Sequence, residues 1–207
     1  MKWTMLIAAG LVAAVVAAAA ATAGNGDHKT REATLQAQVA KLKAQNKKLN
    51  DAFSPAGIKR QLEKVKASLD KYQSVAEAEA AGYKAESPCE STATDPEASW
   101  WGGAMGIHYV NDALLGKPID AGHPAILTYA PGPGGTLELL AAEYFKPDAD
   151  QNVATDDDRP SVFGRAFDGP MLGHAPGMPI HYDLHVWLWK HNPSGMFAPW
   201  NPDVTCK

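Results

Sequence analysis

The chain opens on an unbroken apolar run, Met5 to Ala21, preceded by Lys2 and followed by the small residues of Ala21-Thr22-Ala23. A positive start, an Ala-rich run at the lower length limit for a membrane span, and a small-x-small site predict a signal peptide over residues 1–23, cleaved after Ala23. Beyond it the apolar spacing alternates between four and three: Leu35, Val39, Leu42, Asn46, Leu49 and Phe53. This is a heptad seam. Asn46 takes the core position that Val39 holds one heptad earlier, where a buried amide favours a parallel two-stranded register. Ser54-Pro55-Ala56-Gly57 breaks the pattern, and Ile58, Leu62, Val65, Leu69, Tyr72 and Ala76 resume it. A second amphipathic helix is predicted there, stopping at Gly82.

The period then shortens. Strands are predicted over Met105–Val110, Ala125–Tyr129, Thr136–Phe145 and Ile180–Trp189. Pro131-Gly132-Pro133-Gly134-Gly135 turns the middle two into a hairpin, and Asn192-Pro193-Ser194-Gly195 closes the last. One amphipathic helix followed by short strands predicts an α+β domain, the helix covering one face of a small antiparallel sheet in a cystatin-like or similar form. The other face is expected to be free for a site. A β-sandwich or cupin-like barrel is the alternative. The expected organisation is a signal peptide (1–23), a basic helical or coiled-coil arm (24–56) and the α+β domain (57–207).

Charge sharpens this division. Residues 27–72 carry 11 Lys and Arg against 5 Asp and Glu, a net of +6, whereas residues 73–207 carry 7 against 18, a net of −11. The total of −4 argues against a general nucleic-acid binder. The basic arm fits an anionic envelope surface, and its heptads over residues 31–53 fit a homodimer. Asp148-x-Asp150-x-Asn152 begins like a calcium loop, but Val153 and Arg159 stand where Gly and a bidentate Glu are needed, so it reads as a polar loop.

Export to a periplasmic or extracellular location places the two cysteines, Cys89 and Cys206, in an oxidising compartment, where a structural disulfide is predicted. Neither lies in a nucleophile motif.

Six of the seven histidines lie beyond residue 100. Alternate side chains of a strand share a face, so His181, Asp183 and His185 form one row, continued by Trp187 and Trp189, opposite an apolar row of Tyr182, Leu184, Val186 and Leu188. Two imidazoles and a carboxylate suit a divalent transition metal (Zn, Cu, Mn or Fe), with Asp183 as ligand or as orienting partner. His108 and Glu143, each within a predicted strand, and His174, in the loop before the last one, are the further candidates. A carboxylate inside an apolar strand is costly unless paired or ligating. The metal set is therefore His108, Glu143, His181 and His185, with Asp183 and His174 as alternatives and Trp187 and Trp189 as aromatics of a ligand face. Trp100, Trp101 and Trp200 add to the aromatic density. Asp168, in a turn-like Phe167-Asp168-Gly169-Pro170, is a cap or a second acid.

Met105-Gly106-Ile107-His108-Tyr109-Val110-Asn111, Phe167-Asp168-Gly169-Pro170-Met171, and the stretch from His181-Tyr182-Asp183-Leu184-His185 through Trp187-Leu188-Trp189 to Asn192–Pro202 resemble a set of exported bacterial proteins of unassigned function. The resemblance spans residues 75–206 and implies export and a single C-terminal domain. Three functions stay open: a metal-binding envelope protein, a metal-dependent hydrolase or oxygen-using enzyme on the same residues, and a metal-free ligand-binding or interaction module. The enzyme reading finds no Gly-x-Ser-x-Gly, no His-Glu-x-x-His and no phosphate-binding Gly loop to support it.

Overall fold

In a computed structural model, which describes residues 28–93 and 102–207, the chain divides into two compact units between Asp51 and Ala52. The signal peptide, Trp100 and Trp101 lie outside the described residues. The first unit is carried by helix α1 (His28–Ala52), on which Val39 and Leu49 of the heptad seam stand 46% and 54% exposed.

The second unit begins with helix α2 (Pro55–Leu69). Pro55 occupies its first turn, and the Ser54 hydroxyl caps it by accepting from Gly57 N at 3.1 Å. The spacing predicts one helix continuing to Gly82. Instead a 3-10 turn (Asp70–Gln73) intervenes, and helix α3 (Val75–Ala80) starts afresh. Ser74 is extended and caps α3 through Glu77 N, while Asp70 is held by Lys66 and by the Trp189 indole. These polar contacts outweigh the apolar period. Gly82 does end α3. At φ +99° it lets Tyr83 N reach Ala78 O and its own N reach Glu79 O, both at 3.0 Å.

Period-two alternation builds the sheet. Its strands are β1 (Lys84–Ala85), β2 (Glu90–Ser91), β3 (Ala104–Val110), β4 (Ile126–Pro131), β5 (Leu137–Pro147), β8 (Asp168–Met171) and β9 (His181–Val186). A separate two-stranded pair is formed by β6 (Ser161–Val162) and β7 (Arg165–Ala166). The main sheet is antiparallel and open, in the order β1-β3-β4-β5-β9-β8, with β2 also along the β1 edge of β3. This is an α+β fold, and the open edges exclude the barrel. The four long strands match the predicted ones closely, except that β9 stops at Val186.

One face of the sheet presents Tyr109, Leu127, Tyr129, Tyr144, Tyr182 and Leu184 to Leu62, Val65, Leu69 and Tyr72 of the helical layer. The opposite face carries His108, Thr128, Glu143, His181, Asp183 and His185, all buried. That face was expected to be open. It is covered instead by apolar residues of the connecting loops and C-terminal segment, among them Leu114, Leu115, Met178 and Val204. Cys89 and Cys206 form the expected disulfide, closing a sequence separation of 117 residues. In the chain-entropy model a loop of that length stabilises by about 5 kcal/mol. Asp148, Asp150 and Asn152 accept within their own loop from Asn152 N, Thr155 Oγ1 and Ala154 N, as a polar turn does, and Asp148 also accepts from the Tyr182 hydroxyl of β9.

The tyrosines of the apolar face bury their hydroxyls by donating to carbonyls: Tyr83 to Pro124, Tyr129 to Tyr72 and Tyr144 to Ala121. Burial raises all three above the ordinary phenol value of 10.0. The unfolded chain therefore ionises first, so stability is intact below that value and falls as the pH rises beyond it. We predict one cooperative alkaline transition in which phenolate absorbance and loss of sheet circular dichroism coincide. Phenolate forming from these residues in the folded chain would contradict it.

Candidate metal centre

Strand register decides which polar residues of the buried face meet. Glu143 of β5 pairs directly with His185 of β9. His108 lies two strands away on β3, opposite Thr128, which is itself opposite Ala141. The small side chains of Thr128 and Ala141 leave the width of β4 for His108 and Glu143 to reach across. The result is a group of three donor residues whose ligand atoms lie within 4.8 Å of one another, all buried.

Glu143 Oε2 stands 3.2 Å from His108 Nε2 and 3.4 Å from His185 Nε2. Two nitrogens and an oxygen each about 2.0–2.2 Å from one ion would be about 3.0–3.6 Å apart, so these separations are those of an edge of a coordination sphere. Neither contact to Glu143 Oε2 has hydrogen-bond geometry, and both nitrogens of His185 lack a partner. His108, Glu143 and His185 are only 8%, 5% and 1% exposed. Buried polar atoms left unpaired cost about 1–3 kcal/mol each, and a cation among them removes that cost at Glu143 Oε2 and His185 Nε2. The site can thus hold a metal ion.

The ordering of the rings supports this. His108 turns Nδ1 outward to Ser87 Oγ at 3.1 Å and to Glu90 Oε1 at 3.2 Å, leaving Nε2 to face Glu143. A ligating histidine whose other ring nitrogen meets a carboxylate is a recurrent arrangement at metal sites. His185 is set edge-on to His108, with centroids 5.9 Å apart, and stacks on Trp187 at 6.4 Å.

Without a metal the three groups share charge unequally. Burial works against the charge on Glu143, but the histidines beside it hold its carboxyl below the ordinary range. Burial likewise opposes protonation of His108, yet the fields of Glu143 and Glu90 lift it to about 10. His185 is held below its ordinary value by burial, with the positive His108 adding to the effect. Asp183 is pushed well up by burial and by the nearby Glu143 and Asp168 carboxylates. The negative charge is thus favoured on Glu143 and disfavoured on Asp183, as neighbouring like charges require.

Of the residues singled out from sequence, His108, Glu143 and His185 come together and His181 does not. His181 and His185 share a face, but four residues of strand separate them by about 13 Å. His181 stacks on Phe145 at 4.7 Å, donates Nδ1–H to Pro179 O, and lies 3.9 Å from Asp183. His174 is exposed and meets only the edge of the His181 ring, 5.3 Å away. Asp183 is outside the three-residue group, and its Oδ1 is buried without a partner. The expected aromatic row also splits. Trp187 walls the site and donates to Ala198 O, but the strand has ended before Trp189, which turns to the helical layer and donates to Asp70. Asp168 is part of strand β8, opposite Asp183. Sequence reasoning missed Ser87, Glu90 and Thr128. Nothing in their local pattern marks them, because a bend at the sheet edge and the register across β4 place them.

No family model, curated protein or solved structure matches the chain, so the site stands on its own chemistry.

Glu143→Gln removes the countercharge of a buried imidazolium. Breaking such a pair destabilises by about 3–5 kcal/mol. In metal-free protein at mildly acid pH, where His108 is protonated, denaturant titration should show a loss of that order. A loss below about 1 kcal/mol, within the range of exposed ion pairs, would show that Glu143 does not hold this charge.

Proposed function

We propose that this is an exported envelope protein that binds one divalent transition metal through His108, Glu143 and His185. The observation that carries it is the convergence of Glu143 Oε2 and His185 Nε2, both buried and unpartnered, with His108 Nε2. Two imidazoles and one carboxylate suit Zn, Cu, Mn or Fe. The Cys89–Cys206 disulfide supports a non-cytoplasmic location. Among the described residues no helix is long and apolar enough to cross a membrane.

Donors at most 8% exposed favour retention of a metal over turnover of a substrate. A hydrolase or oxygen-using enzyme on the same three residues would use the coordination positions they leave open, and needs a route to them. The metal-free binding module has less support, because the indole N–H groups of Trp187 and Trp189 are already engaged within the fold.

Elemental analysis of residues 24–207, purified from the periplasm without a histidine tag, tests the reading. Near one metal per chain is expected, lost in His108→Ala/His185→Ala and kept in His181→Ala. No metal after reconstitution, or loss only with His181→Ala, overturns it.

The arm is proposed to pair two copies in parallel through residues 31–53, its basic face toward anionic envelope polymer. The exposed Val39 and Leu49 support this. Sedimentation should give a dimer that becomes monomeric, and loses salt-sensitive adsorption to anionic vesicles, when residues 24–56 are deleted. A monomeric full-length chain would contradict it.

A further inference from the structure

Along one edge of β3 the chain runs as a broken strand. Lys84 and Ala85 pair with Val110 and Tyr109, and Glu86 N donates to His108 O at 2.9 Å. Pairing resumes with Glu90 opposite Gly106. Four steps on the edge thus oppose two on β3, and the extra residues bulge out at Ser87-Pro88-Cys89, beside His108. Bulges of this kind re-aim side chains. Ser87 Oγ replaces the missing ladder acceptor by taking the His108 backbone N–H at 3.1 Å. Glu90 emerges on the same face as His108. Its partner Gly106 has no side chain, so the Glu90 carboxylate reaches across it to His108 Nδ1. Gly106 is itself required, because at φ +111° a Cβ there would meet Tyr129 O at 2.3 Å.

Few contacts hold this edge segment. β2 is two residues long and pairs only with β3. Cys89, in the bulge itself, is tied to Cys206, which packs against the buried cluster of Ala104, Ala130, Leu140, Ala141, Trp187 and Val204. That cluster contains Trp187, on which the His185 ring stacks.

We infer that Glu90 is the positioning residue of His108, and that the Cys89–Cys206 disulfide sets metal affinity by holding Glu90 in place. The inference rests on the metal reading above and assigns control of that site. The Glu90 carboxylate lies 3.2 Å from Nδ1, beside the Ser87 hydroxyl at 3.1 Å, and its charge favours the proton on Nδ1, which leaves the Nε2 lone pair for the metal. With the disulfide absent, the Ser87 hydroxyl still holds the start of the bulge on the His108 backbone N–H, but Glu90 is left to the short β2 pairing and the Thr92–Gly103 contact beyond it, and loses its fixed place beside His108.

Competition of Zn(II) against a chromophoric chelator provides the test. Loss of a carboxylate behind a ligating histidine typically weakens metal binding about ten- to a hundredfold. Glu90→Ala should show a loss in that range, and Glu90→Gln, which keeps an acceptor oxygen, should recover most of it. Cys89→Ser/Cys206→Ser should lose a similar factor, and combining it with Glu90→Ala should add little. In metal-free protein, the hydrogen-bonded Nδ1–H resonance of His108 should be present in the wild type and in Glu90→Gln. It should move upfield in Glu90→Ala, where the neutral Ser87 hydroxyl is the partner left at Nδ1, and in the cysteine variant.

A folded Glu90→Ala that keeps wild-type affinity and leaves that resonance in place overturns the inference. So does a combined variant whose losses multiply. If the cysteine variant does not fold, the two Glu90 variants decide. If wild-type protein binds no zinc, the metal reading fails, while the resonance still decides whether Glu90 holds His108.

Discussion

A carboxylate placed in the middle of a covered sheet must have positive charge beside it, because burying it alone costs several kcal/mol. Glu143 is in that position, and its surroundings answer the requirement. The strand on one side supplies His185 in direct register, and the second strand on the other side supplies His108. Protons can meet the demand partially, through a protonated His108. A divalent ion would meet it with less left over, because it would also engage Glu143 Oε2 and His185 Nε2, which lack hydrogen bonds. The same constraint explains why the neighbouring Asp183 is pushed toward its neutral form: burial and the nearby Glu143 and Asp168 carboxylates oppose its charge.

The remaining architecture serves that face. The helical layer and the tyrosine-rich surface form the apolar core on the other side of the sheet. Loops and the C-terminal segment then close the polar side and bury it. A low local dielectric strengthens the electrostatic contacts made there. The disulfide ties the sheet edge that carries Glu90 to the segment that covers the site, so fold closure and site geometry share one covalent link.

Much of this was legible in the sequence. Hydrophobic period located α2 and the four long strands, and an acid in an otherwise apolar strand marked Glu143. The error at His181 has a simple cause. Alternation shows which residues share a face, but a strand rises about 3.3 Å per residue, so His181 and His185 diverge while Glu143, distant in sequence, arrives by register. Register between strands is set by turns and bulges, and the irregularity at Thr128/Tyr129 is not visible as a pattern. Trp189 was misplaced because Asn192-Pro193 marks where the chain turns, and β9 ends before it. The short edge strands β1, β2 and β8 carry too few residues to show a period.

The central claim is that one ion sits between three named atoms. The most direct measurement is anomalous diffraction from crystals of the reconstituted protein, recorded above and below the metal edge. The account predicts a single strong peak about 2.0–2.2 Å from His108 Nε2, Glu143 Oε2 and His185 Nε2. A peak at His174 and His181, or none at the buried group in fully loaded protein, would contradict it.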